Sequence, residues 1–204
     1  MSLWYNFLYQ IGFTPWEDGA LESPAAKQID ALFEREERER QPPYGTALDL
    51  GCGSGIWSVS LAKRGWDVTG IDVVPKAITR ANRRAQVAGV QTRFIQGDVT
   101  ALRSAGVESG FGFLLDFECF NHLKPSQREA VGREVSAVAA PDATILMLTW
   151  APAARWLLPP GASRSDIESA FQDWTIIDEE PYDKSALPPP LKNVNPRFYR
   201  LRRA

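Results

Sequence analysis

The sequence predicts an α/β protein with a Rossmann-like, doubly wound, seven-stranded and mostly parallel sheet. An antiparallel C-terminal hairpin closes it, and helices cover both faces. Three observations predict this. From Thr46 to Met147, short apolar runs bounded by turn residues alternate with helix-like stretches, the pattern of right-handed βαβ units. A glycine turn, Gly51-Cys52-Gly53-Ser54-Gly55, lies between the first apolar run and the first helix of that series. Finally, two strand-like runs near the C-terminus have only a proline-rich stretch between them.

The elements follow in order. Residues 1–45 form an N-terminal helical extension, aromatic and apolar from Met1 to Phe13. Its run EREERER, Glu34 to Arg40, reads as the solvated end of a helix whose mixed charges pair at i, i+4. Residues 46–150 form the cofactor-binding core. Its strands are Thr46–Leu50, Asp67–Asp72, Thr92–Gln96, Phe111–Phe117 and Ala143–Thr149. The helix Gly55–Arg64 stops at Gly65, Pro75–Ala88 opens on a proline and stops at Gly89, and Ser126–Ala140 stops before Pro141, as helix signals require. Residues 151–204 supply a helix and the closing hairpin. Ser165 to Glu168 has capping-box spacing, and Trp174–Asp178 and Arg197–Arg202 read as strands. Between those strands runs Pro181 to Pro196, with Pro188, Pro189 and Pro190 inside it, long for a plain connection. The whole, 1–204, is read as one domain.

Composition narrows the function. With 44% hydrophobic and 24% charged residues the chain is neither disordered nor fibrous. A net charge of −2 does not suit a nucleic-acid binder. One histidine and two cysteines exclude a multi-histidine metal site, a cysteine zinc site and a disulfide framework, so no metal is expected. No run approaches the ~18 apolar residues of a membrane span. The N-terminus lacks the basic start and cleavage site of a signal peptide. The expectation is a cytoplasmic monomer or homodimer that acts on a small molecule.

The strongest signal is Ala47-Leu48-Asp49-Leu50 running into the glycine turn. Gly51, Gly53 and Gly55 let a ligand approach the backbone, with Cys52 inside the turn, and the next helix offers free N–H groups. Asp72 ends the second strand, 17 positions beyond Gly55, placed to accept hydrogen bonds from ribose hydroxyls. Asp98 ends the third. The spacing G-x-G-x-G differs from the dinucleotide fingerprint G-x-G-x-x-G. Asp49 just before the turn would repel a pyrophosphate and suit a cation. S-adenosylmethionine carries a sulfonium and an ammonium and no phosphate.

At these residues the chain resembles the class I S-adenosylmethionine-dependent methyltransferases, from Thr46 to about Met147. The resemblance implies roles. Asp49, Gly51, Gly53 and Gly55 form the donor turn, and Asp72 holds the ribose. Val73 packs on the adenine, Asp98 lies near its amino group, and Val99 lies beside the ring. Asp116 and Phe117, in Leu115-Asp116-Phe117, face the methionine end, and S-adenosylhomocysteine is the product. Thr14-Pro15-Trp16-Glu17-Asp18-Gly19 is similar to the N-terminal segment of the thiopurine and halide/thiol methyltransferase branch. There such a stretch folds over the donor, which gives Trp16 a covering role.

The stretch after the fourth strand, Phe117-Glu118-Cys119-Phe120-Asn121-His122, faces the transferred methyl. His122 and Glu118 are the candidate general bases. Phe117 and Glu118 depart from the acid-tyrosine pattern of the halide/thiol branch, and an acid there disfavours an anionic acceptor. The reading is a methyltransferase for a small thiol, phenol, quinol or similar nucleophile. The alternatives are a donor-binding sensor or accessory subunit without turnover, and a dinucleotide oxidoreductase.

Overall fold

The computed structural model describes residues 2–204 except Pro15, Trp16, Asp18, Gly19, 153–159, Ala186 and 188–194, and leaves aside the side chains of residues 2–4. The chain runs α1 (Ser2–Ile11), α2 (Pro24–Arg38), β1 (Thr46–Leu50), α3 (Ile56–Arg64), β2 (Asp67–Asp72), α4 (Pro75–Ala88) and β3 (Thr92–Gln96). It continues with β4 (Phe111–Phe117), α5 (Pro125–Val138), β5 (Ala139–Trp150), α6 (Arg164–Ala170), β6 (Trp174–Pro181) and β7 (Pro196–Arg203). The seven strands form one sheet in the order β3-β2-β1-β4-β5-β7-β6. β1 to β5 pair in parallel, and β7 runs antiparallel to both β5 and β6. The sheet topology is the one expected.

Period-two alternation sends each central strand to two cores. Leu48, Leu50, Leu114, Ile145, Met147 and Leu201 face one. Ala47, Phe113, Leu115, Leu146, Leu148 and Phe198 face the other, where α2 packs through Ile29, Leu32 and Phe33. Both faces are covered, as a parallel sheet requires. Reversal of the strand order beside β1 puts the C-terminal ends of β1, β2 and β4 side by side, where such folds bind ligands.

Three local readings are corrected. Gly55 is the N-cap of α3 in the left-handed region rather than its first residue. The capping box of α6 is Ser163 with Asp166, not Ser165 with Glu168. α5 ends at Val138 and β5 starts at once, Pro141 included. There Ala139 pairs with Phe111, and Arg203 Nη1 donates to the Ala139 carbonyl, so tertiary pairing overrides the helical pattern.

The largest correction concerns EREERER. Five of its seven residues tie α2 to the rest of the molecule. Glu36 is buried and accepts from the Thr144 hydroxyl, from Arg40 and from Arg200 at 3.0 Å. Glu39 takes Arg200 and Arg202, while Glu37 takes Arg64 and the Trp66 indole N–H. Arg35 pairs with Asp178 and Glu180 on β6. Arg40 also donates to the Gly112 carbonyl at 2.8 Å and lies over the Trp66 ring.

A buried ion pair that loses one partner leaves the other uncompensated. Glu36→Ala takes from buried Arg200 one of its two carboxylates and from the Thr144 hydroxyl its acceptor, and is expected to lower stability by about 1–3 kcal/mol in denaturant titration. A change within the scatter of a surface substitution would show that α2 is held by its apolar face alone.

Candidate functional site

The glycine turn is built as the sequence implies. Gly51, Gly53 and Gly55 have φ of 68°, 54° and 74°, a region that favours glycine. Space demands glycine as well. A Cβ at Gly51 would sit 2.7 Å from the Cys119 side chain, and one at Gly55 would sit 2.8 Å from the Phe94 ring. Arg84 of α4 pins the turn by donating to the Ser54 carbonyl at 2.9 Å and hydroxyl at 3.0 Å.

Carboxyl groups converge on the turn. Asp72 accepts the Gly53 N–H at 3.0 Å and the Val74 N–H at 2.8 Å, and burial raises its pKa. Asp49 is buried and accepts from the Ser58 hydroxyl; burial pushes it to about 7. Asp116 is buried, with Oδ1 accepting the Phe120 N–H at 3.0 Å. Its Oδ2 has no hydrogen-bond partner among the described residues, and burial, reinforced by Asp49, pushes its pKa to about 7. Among the described residues no lysine or arginine pairs with any of the three. An orphaned buried carboxylate oxygen and a glycine cradle fit a ligand that brings positive charge.

The other predicted residues are placed as follows. Cys52 is buried under the turn, and Cys119 lies against Gly51; burial raises both thiols well above their usual range. Val73 is 43% exposed at the β2 end. Asp98 is exposed, and its carboxylate caps the turn after β3 by accepting from Thr100 N–H at 2.8 Å. Val99 beside it is buried. Phe117 stands between the Phe33, Trp57 and Phe198 rings. Trp16 lies outside the described residues, as do Pro15, Asp18 and Gly19 of the same stretch.

Glu118 adopts φ of 74° at the β4 end, a conformation uncommon outside glycine. Its Oε1 accepts the Trp150 indole N–H at 3.0 Å, and burial pushes its pKa to about 7. His122 sits in a short 3-10 turn, Phe120–His122. The Tyr5 hydroxyl lies 3.0 Å from its Nε2, and burial lowers its pKa to about 4. The imidazole is therefore neutral near pH 7 and takes up protons weakly.

Sequence reasoning missed several side chains that complete the site. Tyr9 donates to Glu17, and Glu17 also accepts the Ser54 N–H at 3.0 Å, so Tyr9 of α1 and Glu17 roof the turn. Trp150 ends β5. Tyr182, just past β6, packs on Phe198, and burial with the Glu118 charge raises its phenol to about 12. The aromatic density of the N-terminus was the available signal for Tyr5 and Tyr9; no spacing rule pointed to Trp150, Tyr182 or Ser58.

The chain is similar to known methyltransferases. Residues 47–142 match the family model described as methyltransferase domain. The chain is 27% identical over 175 residues to the 2-heptyl-1-hydroxyquinolin-4(1H)-one methyltransferase of Mycobacteroides abscessus, covering 82% of this chain and 71% of that protein. It is 36% identical over 92 residues to the ubiquinone biosynthesis O-methyltransferase of Azorhizobium caulinodans, covering 45% of this chain and 36% of that one. The fold is shared with the Burkholderia thailandensis 1,6-didemethyltoxoflavin-N1-methyltransferase, solved with bound 1,6-didemethyltoxoflavin and S-adenosylhomocysteine. There the TM-score is 0.71 at 19% identity, covering 98% of this chain and 85% of that one.

The buried acids have a pH signature. A carboxyl whose folded pKa exceeds its unfolded value of ~3.9 keeps its proton longer when folded, so it costs stability as pH rises toward the folded value. Asp116→Asn keeps the Oδ1 acceptor and removes the charge. The free variant should melt above the parent at pH 8, with the gain fading toward pH 4. A gain independent of pH would show that Asp116 is not charged in the folded protein.

Proposed function

We propose that this chain, a methyltransferase by its core domain, moves the methyl group of S-adenosylmethionine onto a small planar aromatic acceptor with an ionisable hydroxyl. The observation that carries the donor is the set of buried, uncompensated carboxyls over the glycine turn. Gly51, Gly53 and Gly55 cradle the donor, Asp72 takes the ribose, and Asp49 and Asp116 answer its positive charge. Asp98, Val73 and Val99 lie along the adenine side. When bound, the donor supplies a methyl group already activated by its sulfonium.

The chain's own residues then hold, orient and exclude water. Phe117, Tyr182 and Phe198 form an apolar wall, and Trp150 holds Glu118. Glu118 is the general base: it receives the acceptor's hydroxyl proton on its carboxylate as the methyl group arrives. His122, neutral and bonded to Tyr5, orients the acceptor by hydrogen bonding. A hydroxylated ring suits the aromatic wall and the base together, and the quinolone and ubiquinone relatives support that class. The finer kinship with the thiopurine and halide/thiol branch rests on the Thr14-to-Gly19 stretch alone.

Calorimetry should find S-adenosylhomocysteine bound at micromolar affinity, about −8 kcal/mol, and NAD unbound. Asp72→Ala should weaken the former by about 1.5–3 kcal/mol, as for a hydrogen bond to a charged group. NAD binding with no response to the homocysteine derivative would overturn the donor reading.

Catalysis has a separate test on hydroxyquinolinones, quinols and phenols. Glu118→Gln should lower kcat by roughly 10²–10⁴-fold with S-adenosylhomocysteine affinity unchanged. The base works as the carboxylate, so parent kcat should fall as pH drops below about 7. Donor binding without turnover on any acceptor would make the chain a donor-binding sensor instead.

A further inference from the structure

β5 runs on past the end of β4, and its last residue touches the candidate base. Phe117 pairs with Leu148, and the Glu118 N–H donates to the Leu148 carbonyl at 3.0 Å. In a regular parallel ladder the next bond would run from the Trp150 N–H to the β4 backbone. β4 stops short of it, because Glu118 at φ of 74° turns the chain. Asn121 takes that N–H instead, its side-chain Oδ1 accepting at 3.1 Å. Three residues beyond Glu118 and fully buried, Asn121 closes a ring of bonds between the turn and the strand end. The third bond of the ring runs from the Trp150 indole N–H to Glu118 Oε1 at 3.0 Å.

Trp150 is gripped from its other side as well. Its carbonyl accepts the Ala162 N–H at 2.9 Å. A Cβ at Gly161 would sit 2.6 Å from that carbonyl oxygen, and Gly161 has φ of 79°. Buried Arg128 of α5 donates to the Gly161 carbonyl at 2.5 Å and pairs with Asp166 of α6 at 3.0 Å. With both backbone groups of Trp150 fixed, only its side-chain torsions remain to bring the indole to Glu118. Asp116 on β4, Tyr5 of α1 and Tyr182 after β6 feel the charge of Glu118, and Cys119 and His122 share its turn. His122 is neutral near pH 7, so none of these groups supplies a cation. The indole N–H is the group that favours the carboxylate over the acid, by hydrogen bonding to the charged form.

We propose that Asn121 is the positioning residue of the base: by taking the Trp150 backbone N–H where β4 gives out, it sets the indole donor on the Glu118 carboxylate. The ring of hydrogen bonds stands on the geometry alone. Its use, keeping the carboxylate ionised and aimed at the proton of a hydroxylated acceptor, rests on the methyl-transfer reading. An asparagine that only capped the end of β5 would stabilise the strand and leave the ionisation of Glu118 untouched.

Carbon-13 NMR of the free protein, labelled at its glutamate carboxyls, follows Glu118 directly, and Glu118→Gln identifies the signal. In the parent that carboxyl should titrate at about 7. Trp150→Phe removes the indole donor and should move the midpoint upward by roughly 1–2 pH units, the size of one hydrogen bond to a charged group. Asn121→Ala, or the milder Asn121→Ser if Asn121→Ala does not fold, should move it the same way. Joined to Trp150→Phe, the Asn121 substitution should move it no further than Trp150→Phe alone, because the two residues act in series. The acid limb of kcat should follow these shifts, with S-adenosylhomocysteine affinity unchanged. Carboxyl shifts of this kind without any change in turnover would remove Glu118 from the transfer and leave the positioning intact. Three results overturn the proposal: Asn121 variants that titrate like the parent, a midpoint that Trp150→Phe leaves in place, or two shifts that add in the double variant.

Discussion

Carboxyl groups enclosed without a countercharge set the terms for this structure. At the C-terminal edge of the sheet, Asp49 accepts from the Ser58 hydroxyl and Asp116 from the Phe120 N–H, and each is raised toward neutrality by burial. A core designed only for stability would place apolar side chains there. The same molecule shows what compensated acids look like, since Glu36, Glu37 and Glu39 each meet at least one arginine. The contrast divides the fold by purpose. Acids behind the sheet fasten α2 to the strands, and acids above the glycine turn wait for charge from outside.

That division explains why the fold was more legible than its fastening. Strands β1 to β4 follow from local signals: apolar runs, glycine stops, and a proline opening α4. The EREERER run misled because a charge run carries no local trace of its partners. Arg200 lies 164 positions from Glu36 and Thr144 lies 108 away, so the reading of a solvated helix end was the only one that local pattern allowed. The extended start of β5 was hidden for the same reason. Its first residues pair with Phe111 and meet Arg203, and both relations exist only once the sheet is assembled.

The site divides in the same way. Asp49, Asp72 and Asp98 were legible because strand ends are fixed points of a doubly wound sheet, and Asp116 through the family resemblance. Tyr5, Tyr9 and Glu17 arrive from before the core, and Trp150 and Tyr182 from near or beyond its end. Glu118 was visible as a residue type after β4. Its usefulness as a base depends on Trp150, which holds the carboxylate, and on the enclosure that raises its pKa. Both belong to the assembled structure.

The roof over the turn is joined to the rest by groups outside the sheet. Among the described residues its ties include the Tyr9 and Ser54 hydrogen bonds to Glu17, the Tyr5–His122 bond, the Lys76 and Arg80 donations to α1 carbonyls, and the small cluster of Tyr9 with Val74 and Ala77. Of these groups, none is a side chain of the two large apolar cores. Elements held by few apolar contacts open at far lower free energy than the global unfolding of a domain. Parting α1 from the turn would therefore uncover Gly53 and Ser54 and leave β1 to β7 intact. The roof lies on Gly53 and Ser54 of the glycine turn, so entry of a ligand at the turn and opening of the roof draw on the same free energy.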